Sequence, residues 1–313
     1  MSFLVFCAFL GLFNPRELRL GQEILPEIQV SCAALGELSG LVASESYPGV
    51  LWAHNDSGNE PALFALTVDG DVLQNESFEG AYAGIEVKGS TLKDWEAITR
   101  CGDKLYIAEM GNNLNASGSL GLYEVKEPDP RRTDSVSSIR FIEVRYPDQK
   151  GFPPTDRWGF DCEAAFCLDE KLYFVTKNRP AFRLFVQEGS ANLYRLDLNS
   201  LVDEGANILE PVDRVGDLGG WVTAADMSVD GRWMAVLCES PTQSIWLFEK
   251  PEESEKFFSE PKSIKRYQFW GGGQLESLAF AKESEEKDEA LFMVNEEGDM
   301  FRVDLDKFEE IKQ

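Results

Sequence analysis

Asp94-Trp95-Glu96-Ala97-Ile98 begins a pattern that recurs along the chain. It is followed by Leu105-Tyr106-Ile107-Ala108 and then by Leu122-Tyr123-Glu124-Val125, so an apolar run bearing an acid precedes two apolar-aromatic runs. The same order returns at Asp161-Cys162-Glu163-Ala164-Ala165, at Leu172-Tyr173-Phe174-Val175 and at Leu193-Tyr194-Arg195-Leu196. Short runs of this composition, bounded by turn residues, are typical of β-strands. The repeat therefore predicts a unit of at least three strands.

Five copies of this unit can be aligned on one position, which is occupied by Ser39, Glu96, Glu163, Asp226 and Glu276. An outer fourth strand fits between copies, for example at 138–144 and 263–269. The last copy lacks this strand, and residues around 23–30 can supply it. Such units bury their faces only by stacking around an axis. The sequence predicts an all-β chain whose residues 16–313 form one β-propeller of four-stranded antiparallel blades. Five blades are expected, with six as the alternative.

The composition excludes several functions. The 313 residues include 55 Asp and Glu against 30 Lys and Arg, a net charge of −25. Phosphate binding requires clustered basic residues, so nucleic acid is not an expected partner. The chain is 43% hydrophobic and 12% aromatic, which is sufficient for a packed core. We expect a monomer whose partner is a small molecule or a protein at the mouth of the channel.

The N-terminus and the cysteines bear on the compartment. Residues 1–15 are largely apolar, no Lys or Arg precedes the apolar run, and the run is too short to span a membrane. They are either a degraded signal peptide or an apolar segment that docks on the domain. The expected location is extracytoplasmic, periplasmic or secreted, with the cytoplasm as the alternative. The six cysteines show no two-residue spacing typical of zinc or redox motifs, and their pairing stays open.

Several ordered motifs resemble those of a family of bacterial propeller proteins of unassigned function, with repeats like those of WD40 and YVTN propellers. They are Glu37-Leu38-Ser39-Gly40-Leu41, His54-Asn55-Asp56-Ser57-Gly58, Asp94-Trp95-Glu96-Ala97-Ile98, Asp161-Cys162-Glu163-Ala164 and Ala225-Asp226-Met227-Ser228. The resemblance covers most of the chain and implies the fold but no reaction. Family members tend to have an Asp-Asn pair where this chain has Met110-Gly111-Asn112-Asn113, which weakens a metal assignment at that loop. A more distant architectural similarity is to calcium-dependent propeller phytases and lactonases.

The aligned acids form the principal candidate site. The first strand of each propeller blade lines the central channel, so Glu96, Glu163, Asp226 and Glu276 are expected to form a ring. Close carboxylates repel unless they are protonated or neutralised. Calcium fits an oxygen-only set of ligands, to which Asn55 and Asp56 can add from the next strand. The alternative is a structural network in which Lys177 satisfies the acids without a metal.

His54 is the only histidine, so any imidazole base must use it. The predicted function is an acidic propeller that binds a cation, foremost calcium, and a small ligand or protein at its channel, with the reaction unknown. One alternative is a calcium-dependent hydrolase of phosphate esters or lactones, with His54, Glu96 and Glu163 as catalytic residues. The other is a structural scaffold for protein interaction. Whether the protein is an enzyme is left open.

Overall fold

A computed structural model describes residues 21–77, 81–284 and 286–312. The described chain consists of short β-strands with two single-turn 3₁₀ helices, at Leu198–Ser200 and Leu305–Lys307. In chain order the strands are β1 Gln22–Glu23, β2 Ile28–Gln29, β3 Leu38–Ala43, β4 Val50–Asn55, β5 Ala62–Thr67, β6 Val72–Leu73, β7 Ile85–Lys88, β8 Trp95–Cys101, β9 Lys104–Glu109, β10 Leu120–Lys126, β11 Ser135–Arg145, β12 Arg157–Trp158, β13 Cys162–Leu168, β14 Lys171–Thr176, β15 Arg179–Pro180, β16 Ala191–Asp197, β17 Asn207–Ile208, β18 Glu210–Val215, β19 Trp221–Met227, β20 Trp233–Glu239, β21 Gln243–Glu249, β22 Ile264–Trp270, β23 Leu275–Ala281, β24 Ala290–Asn295, β25 Asp299–Asp304 and β26 Glu309–Glu310.

Neighbouring strands pair in chain order, as the repeat predicts. The ladders are β3-β4-β5 with β6, β8-β9-β10-β11, β13-β14-β16-β18, β19-β20-β21-β22, and β23-β24-β25 with β2. Within these ladders the pairs are antiparallel, and β7 bridges β5 to β11. β2 pairs with β25 through Ile28 and Met300, so the N-terminal segment adds the strand that the last unit lacks. The outer strands expected at 138–144 and 263–269 correspond to β11 and β22.

The first strands of these sheets pack side by side. β3 contacts β8, β8 contacts β13, β13 contacts β19, β19 contacts β23, and β23 contacts β3. Apolar side chains fill the space between successive sheets, for example Tyr106 and Leu122 against Phe174 and Tyr194. A comparable cluster joins the last sheet to the first, where Phe292 packs near Phe64. The all-β, propeller-like prediction is therefore confirmed.

A disulfide joins Cys101 at the end of β8 to Cys167 near the end of β13, with 5.6 Å between the Cα atoms. Sequence alone cannot choose partners among six cysteines, and these two have a sequence separation of 66. Cys32, Cys162 and Cys238 are free thiols. The segment 1–15, expected to be a signal peptide or an apolar arm, lies outside the described residues. Across the described ranges, no helix has the length and apolar character needed to cross a membrane.

Candidate functional site

Each inner strand carries a β-bulge near its first residue, and these bulges position the candidate acids. Trp95 pairs with Glu109 and Ala97 pairs with Ala108, so Glu96 has no partner across the ladder. The equivalent unpaired residues are Ser39, Glu163, Thr223, and Glu276 with Ser277. A bulge redirects a side chain and increases local twist. Ser39, Glu96, Glu163 and Glu276 all line an axial channel whose free volume is only ≈ 10 Å³, so the acids meet in a nearly filled space.

The structure corrects the alignment of the fourth unit. Thr223, not Asp226, occupies the bulge position, because Val222 pairs with Cys238 and Ala224 pairs with Leu237. Asp226 lies three residues further along β19, near the other end of the channel, where its Oδ2 accepts a hydrogen bond of 2.8 Å from the Phe280 backbone N–H. It lines a cavity of ≈ 280 Å³ there. The expected ring of four acids is therefore a group of three, with Asp226 apart.

Asp56, Asp94 and Glu96 form a compact carboxylate cluster at the channel mouth. Asp56 follows β4 and Asp94 precedes β8, and one oxygen from each of the three side chains lies within 4.8 Å of the others. In the described part of the chain, no Lys or Arg forms an ion pair with any of them. Burial, followed by the charges of Asp56 and Asp161, raises the pKa of Asp94 to about 7. The charge of Lys177 lowers the pKa of all three acids but does not outweigh burial and the neighbouring carboxylates, so their mutual repulsion is only partly relieved.

Gly111 allows the cluster to form. A Cβ at this position would lie 2.4 Å from Asp94 Cγ and 2.7 Å from Glu96 Oε1. Any side chain would therefore displace both carboxylates. Ser39 Oγ donates to Glu96 Oε2 at 3.3 Å and helps to orient it. The backbone N–H of Ser57 donates to Asp56 Oδ1 in the same way.

Glu163 is held instead by Lys177, the basic residue that the sequence offered as an alternative to a metal. Lys177 Nζ lies 3.1 Å from Glu163 Oε1, and both side chains are buried. Burial lowers the pKa of Lys177, but the charges of Glu163, Asp161 and Glu276 outweigh it, so its pKa is raised and it stays protonated. For the carboxyl group of Glu163 burial acts in the other direction and raises the pKa. The ion pair holds Glu163, whose charge also raises the pKa of Glu96, so the pair and the three-carboxylate cluster are electrostatically linked.

A second buried ion pair lies beside the first. Arg179 Nη1 contacts Asp161 Oδ2 at 2.5 Å, and Arg179 Nη2 donates to Asn113 Oδ1 at 2.5 Å. The guanidinium carbon lies 4.9 Å from the centre of the Trp221 ring, and Lys177 Nζ lies 5.5 Å from it. Cations over an aromatic face are stabilised electrostatically. These contacts fix the two basic residues in place.

The remaining predicted site residues have different surroundings. Asn55 Nδ2 donates to the Ala34 carbonyl at 2.7 Å and Asn55 Oδ1 accepts from the Glu37 N–H, so this amide supports the loop before β3. Glu276 accepts from Gln274 Nε2 at 3.1 Å. His54 is completely buried, with its ring edge-on to Trp95 at 5.6 Å, and burial lowers its pKa to about 4. Its imidazole is therefore neutral and remote from solvent.

Sequence reasoning missed Asp94 and Asp161 as members of the site. Asp94 and Asp161 each lie two residues before the glutamate at the β-bulge of their strand. Glu37 likewise lies two residues before Ser39. Alternate residues of a strand share a face, so this recurrence was the available signal. A cavity of ≈ 430 Å³ adjoins the cluster and is lined by Lys93, Asp94, Glu109, Gly111, Asn113 and Leu114, among others. A molecule in this cavity would reach Asp94 directly.

Comparison with known proteins identifies no family. The chain matches no protein-family model and no curated protein sequence. Among solved structures, a gluconolactonase from Xanthomonas campestris aligns over 91% of this chain and 88% of its own length, with 11% identity and a TM-score of 0.39. A likeness at that level carries no argument about activity, so the function must be inferred from the site.

Proposed function

We propose that the protein is a closed five-bladed propeller that binds a divalent cation, foremost Ca²⁺, through Asp56, Asp94 and Glu96 at the mouth of its channel. The observation that carries the cation site is the convergence of three carboxylates within 4.8 Å of one another. Among the described residues the nearby Lys177 and Arg179 form their ion pairs with Glu163 and Asp161 rather than with these three. The five inner strands in cyclic contact support the blade number and the closure.

The donor set favours a hard cation. Ca²⁺ takes about six to eight oxygen ligands and accepts carboxylates together with backbone carbonyls and waters. The three side chains supply only carboxylate oxygens, and His54 is buried away from them. Zinc prefers nitrogen and sulfur ligands, which this mouth does not offer among the three clustered residues. Water would complete the coordination on the side of the adjoining cavity.

Calcium titration of the metal-stripped protein tests this proposal. We expect saturable binding by isothermal titration calorimetry and a rise in Tm with added Ca²⁺, because a ligand of the native state stabilises it by mass action. Asp94→Asn and Glu96→Gln should each weaken binding at least tenfold. Asp226→Asn is the matched control, since it removes a buried acid from the opposite end of the channel. Absence of binding, or equal loss in the control, would contradict the site.

A hydrolase is the second candidate, and the cavity of ≈ 430 Å³ beside Asp94 favours it. A substrate there could place a carbonyl or phosphoryl oxygen on the bound cation, which would polarise it. A water molecule would attack the carbonyl carbon or the phosphorus, Glu96 or Glu163 would accept a proton from that water, and the same proton would pass to the departing oxygen. His54 would keep a structural role beneath Gly40, whose Cβ would meet its Nε2 at 2.3 Å. Lactones and phosphate monoesters are the substrates to test with Ca²⁺ and with EDTA. Turnover that survives EDTA would refute the metal-dependent reaction.

We further propose that the protein is exported to an oxidising compartment. The disulfide between Cys101 and Cys167 supports this location, because disulfides persist outside the reducing cytoplasm. Fractionation of cells that express the full chain, followed by thiol labelling of each fraction, tests the proposal. Exported protein should resist labelling at both cysteines until it is reduced, whereas a cytoplasmic, fully labelled pool would exclude export.

A further inference from the structure

Exposed apolar side chains are concentrated on the same face as the carboxylate cluster. The three loops that connect β9 to β10, β11 to β13, and β14 to β16 all meet this face, because each joins strand ends at the channel mouth. They carry five of the exposed large apolar residues of the described chain, which we call the apolar patch: Leu114, Phe152, Phe182, Phe185 and Val186. Phe182 is 64% exposed and Phe185 is 88% exposed. Contiguous exposed apolar surface commonly marks an interaction site.

The three loops form one connected surface. Gln149 Nε2 donates to the Asn115 carbonyl at 3.1 Å, and the Phe160 N–H donates to Asn115 Oδ1 at 2.9 Å. The Phe182 ring packs edge-on against Trp158 with 5.4 Å between centroids. Phe182 has a φ of +62°, a conformation that bulky residues rarely adopt. The fold therefore holds Phe182 outward although this conformation is unfavourable.

The patch is continuous with the acidic mouth. Leu114 lines the same ≈ 430 Å³ cavity as Asp94 and Glu109, and its neighbour Asn113 contacts Arg179. The three loops carry five basic and four acidic residues, of which Lys177, Arg179 and Asp161 lie in buried ion pairs; the other six, Lys150, Arg157, Arg183, Asp148, Asp156 and Glu188, balance. The charge that a partner meets is therefore that of the mouth, where the five acids Asp56, Asp94, Glu96, Asp161 and Glu163 outnumber Lys177 and Arg179.

We propose that this face binds a polypeptide segment in which basic side chains are flanked by apolar ones. The apolar residues would pack on Phe182, Phe185 and Leu114, and one Lys or Arg side chain would enter the cavity beside Asp94. Apolar contacts supply most of the affinity of such a surface, while charge complementarity selects the partner and speeds encounter. The net charge of −25 disfavours a second copy of this chain and an anionic membrane as occupants.

A defined peptide tests this inference independently of the cation site. The probe is a fluorescently labelled 14-residue peptide of Lys and Leu (about four helical turns), measured by anisotropy with the full-length protein in EDTA. A Glu and Leu peptide of equal length is the control ligand. Phe182→Ser combined with Phe185→Ser should weaken binding of the Lys and Leu peptide at least tenfold. Ile139→Ser is the matched control, because Ile139 is exposed in the part of β11 that pairs with Glu124 and Val125, away from the channel mouth.

The expected result is saturable binding that weakens with salt, is lost in the phenylalanine variant and is retained within twofold in the isoleucine variant. Three results would overturn the proposal: no saturable binding, equal loss in both variants, or equal binding of the Glu and Leu peptide. Binding to phosphatidylcholine vesicles that is lost in the same phenylalanine variant, without peptide binding, would assign the patch to a lipid surface instead. EDTA is present throughout, so peptide binding is measured without calcium. These outcomes therefore test the peptide proposal even if the calcium proposal is wrong.

Discussion

Lys177→Met is expected to destabilise the protein by about 3–5 kcal/mol at pH 8, the cost of removing one partner from a buried ion pair. Lys177 Nζ lies 3.1 Å from Glu163 Oε1, and the two side chains are 10% and 3% exposed. With an effective dielectric constant of about 20, that separation corresponds to an attraction of about 5 kcal/mol. Methionine fills a similar volume, so the loss should come from the charge that remains on Glu163 and its neighbours.

The pH dependence of the Lys177→Met variant should identify the cause. The pKa of Glu163 is already raised by burial, and removal of the lysine raises it further. A carboxyl with a raised folded-state pKa contributes stability at low pH that is lost as the pH rises through that pKa. The deficit of Lys177→Met relative to wild type should therefore be small at pH 5 and large at pH 8. Urea unfolding at both pH values measures it.

Glu163→Gln provides the matched partner in a double-mutant cycle. Alone it should cost only about 1 kcal/mol, because Lys177 retains the charges of Asp161 and Glu276. Added to Lys177→Met, it should restore stability with a coupling energy of about 1–3 kcal/mol. Lys250→Met is the control for an exposed ion pair, with Asp169, and should cost less than about 1 kcal/mol. The reasoning is refuted if Lys177→Met costs no more than Lys250→Met, or if the double variant is no more stable than Lys177→Met.

Three further predictions concern other parts of the molecule. Gly111→Ala should weaken Ca²⁺ binding at least tenfold by displacing the carboxylates it faces. Gly36→Ala is the control, because its Cβ would meet nothing within 4 Å, and equal Ca²⁺ affinities of the two variants by calorimetry would contradict the prediction. Burial raises the pKa of Asp226 from 3.8 to about 7, so ionisation of Asp226 should lower the free energy of unfolding of the wild type by about 3 kcal/mol between pH 5 and pH 8. Asp226→Asn should abolish this loss, and an equal loss in variant and wild type, measured by urea unfolding at both pH values, would exclude it. Reduction of the Cys101–Cys167 disulfide, which closes a loop with a sequence separation of 66, should cost about 4 kcal/mol by chain entropy, and an unchanged Tm after reduction would contradict this expectation.

The strands were predictable because each apolar run is bounded by turn residues and recurs in every unit. Residues 138–144 and 263–269 read as outer strands and form β11 and β22. The added N-terminal strand could also be expected, since a repeat that ends one strand short leaves an edge for residues 23–30 to cover. These features depend on local pattern and on the count of strands, and the sequence carries both.

The bulges were not predictable from the same pattern. An extra residue at Glu96 or Thr223 changes which side chains face the channel, but it leaves the composition of the strand unchanged. The run Ala225-Asp226-Met227 resembles the acid-bearing starts of the other units, so the sequence pattern places the common position three residues after Thr223, the residue at the bulge. Register is decided by packing against neighbouring strands, which a single strand sequence does not contain. The disulfide between Cys101 and Cys167 could not be predicted for the same reason, because the two cysteines meet only through the packing of β8 beside β13.

The electrostatics of the channel mouth unite the cation proposal and the peptide proposal. Glu239 pairs with Trp221 at the start of β19 and Glu296 follows β24, so both lie at the mouth end of the inner strands. Burial, reinforced by neighbouring carboxylates, raises the pKa of Asp94, Glu239 and Glu296 to about 7 in each case. Near neutral pH the mouth must therefore hold protons, bind a cation or accept a basic side chain. Ca²⁺ and a lysine of a partner would both relieve the same repulsion at Asp94, so they should compete there. If Ca²⁺ weakens the binding of the Lys and Leu peptide, the two sites overlap. If Ca²⁺ binds without weakening it, no lysine of the peptide lies beside Asp94 and that part of the peptide proposal is wrong.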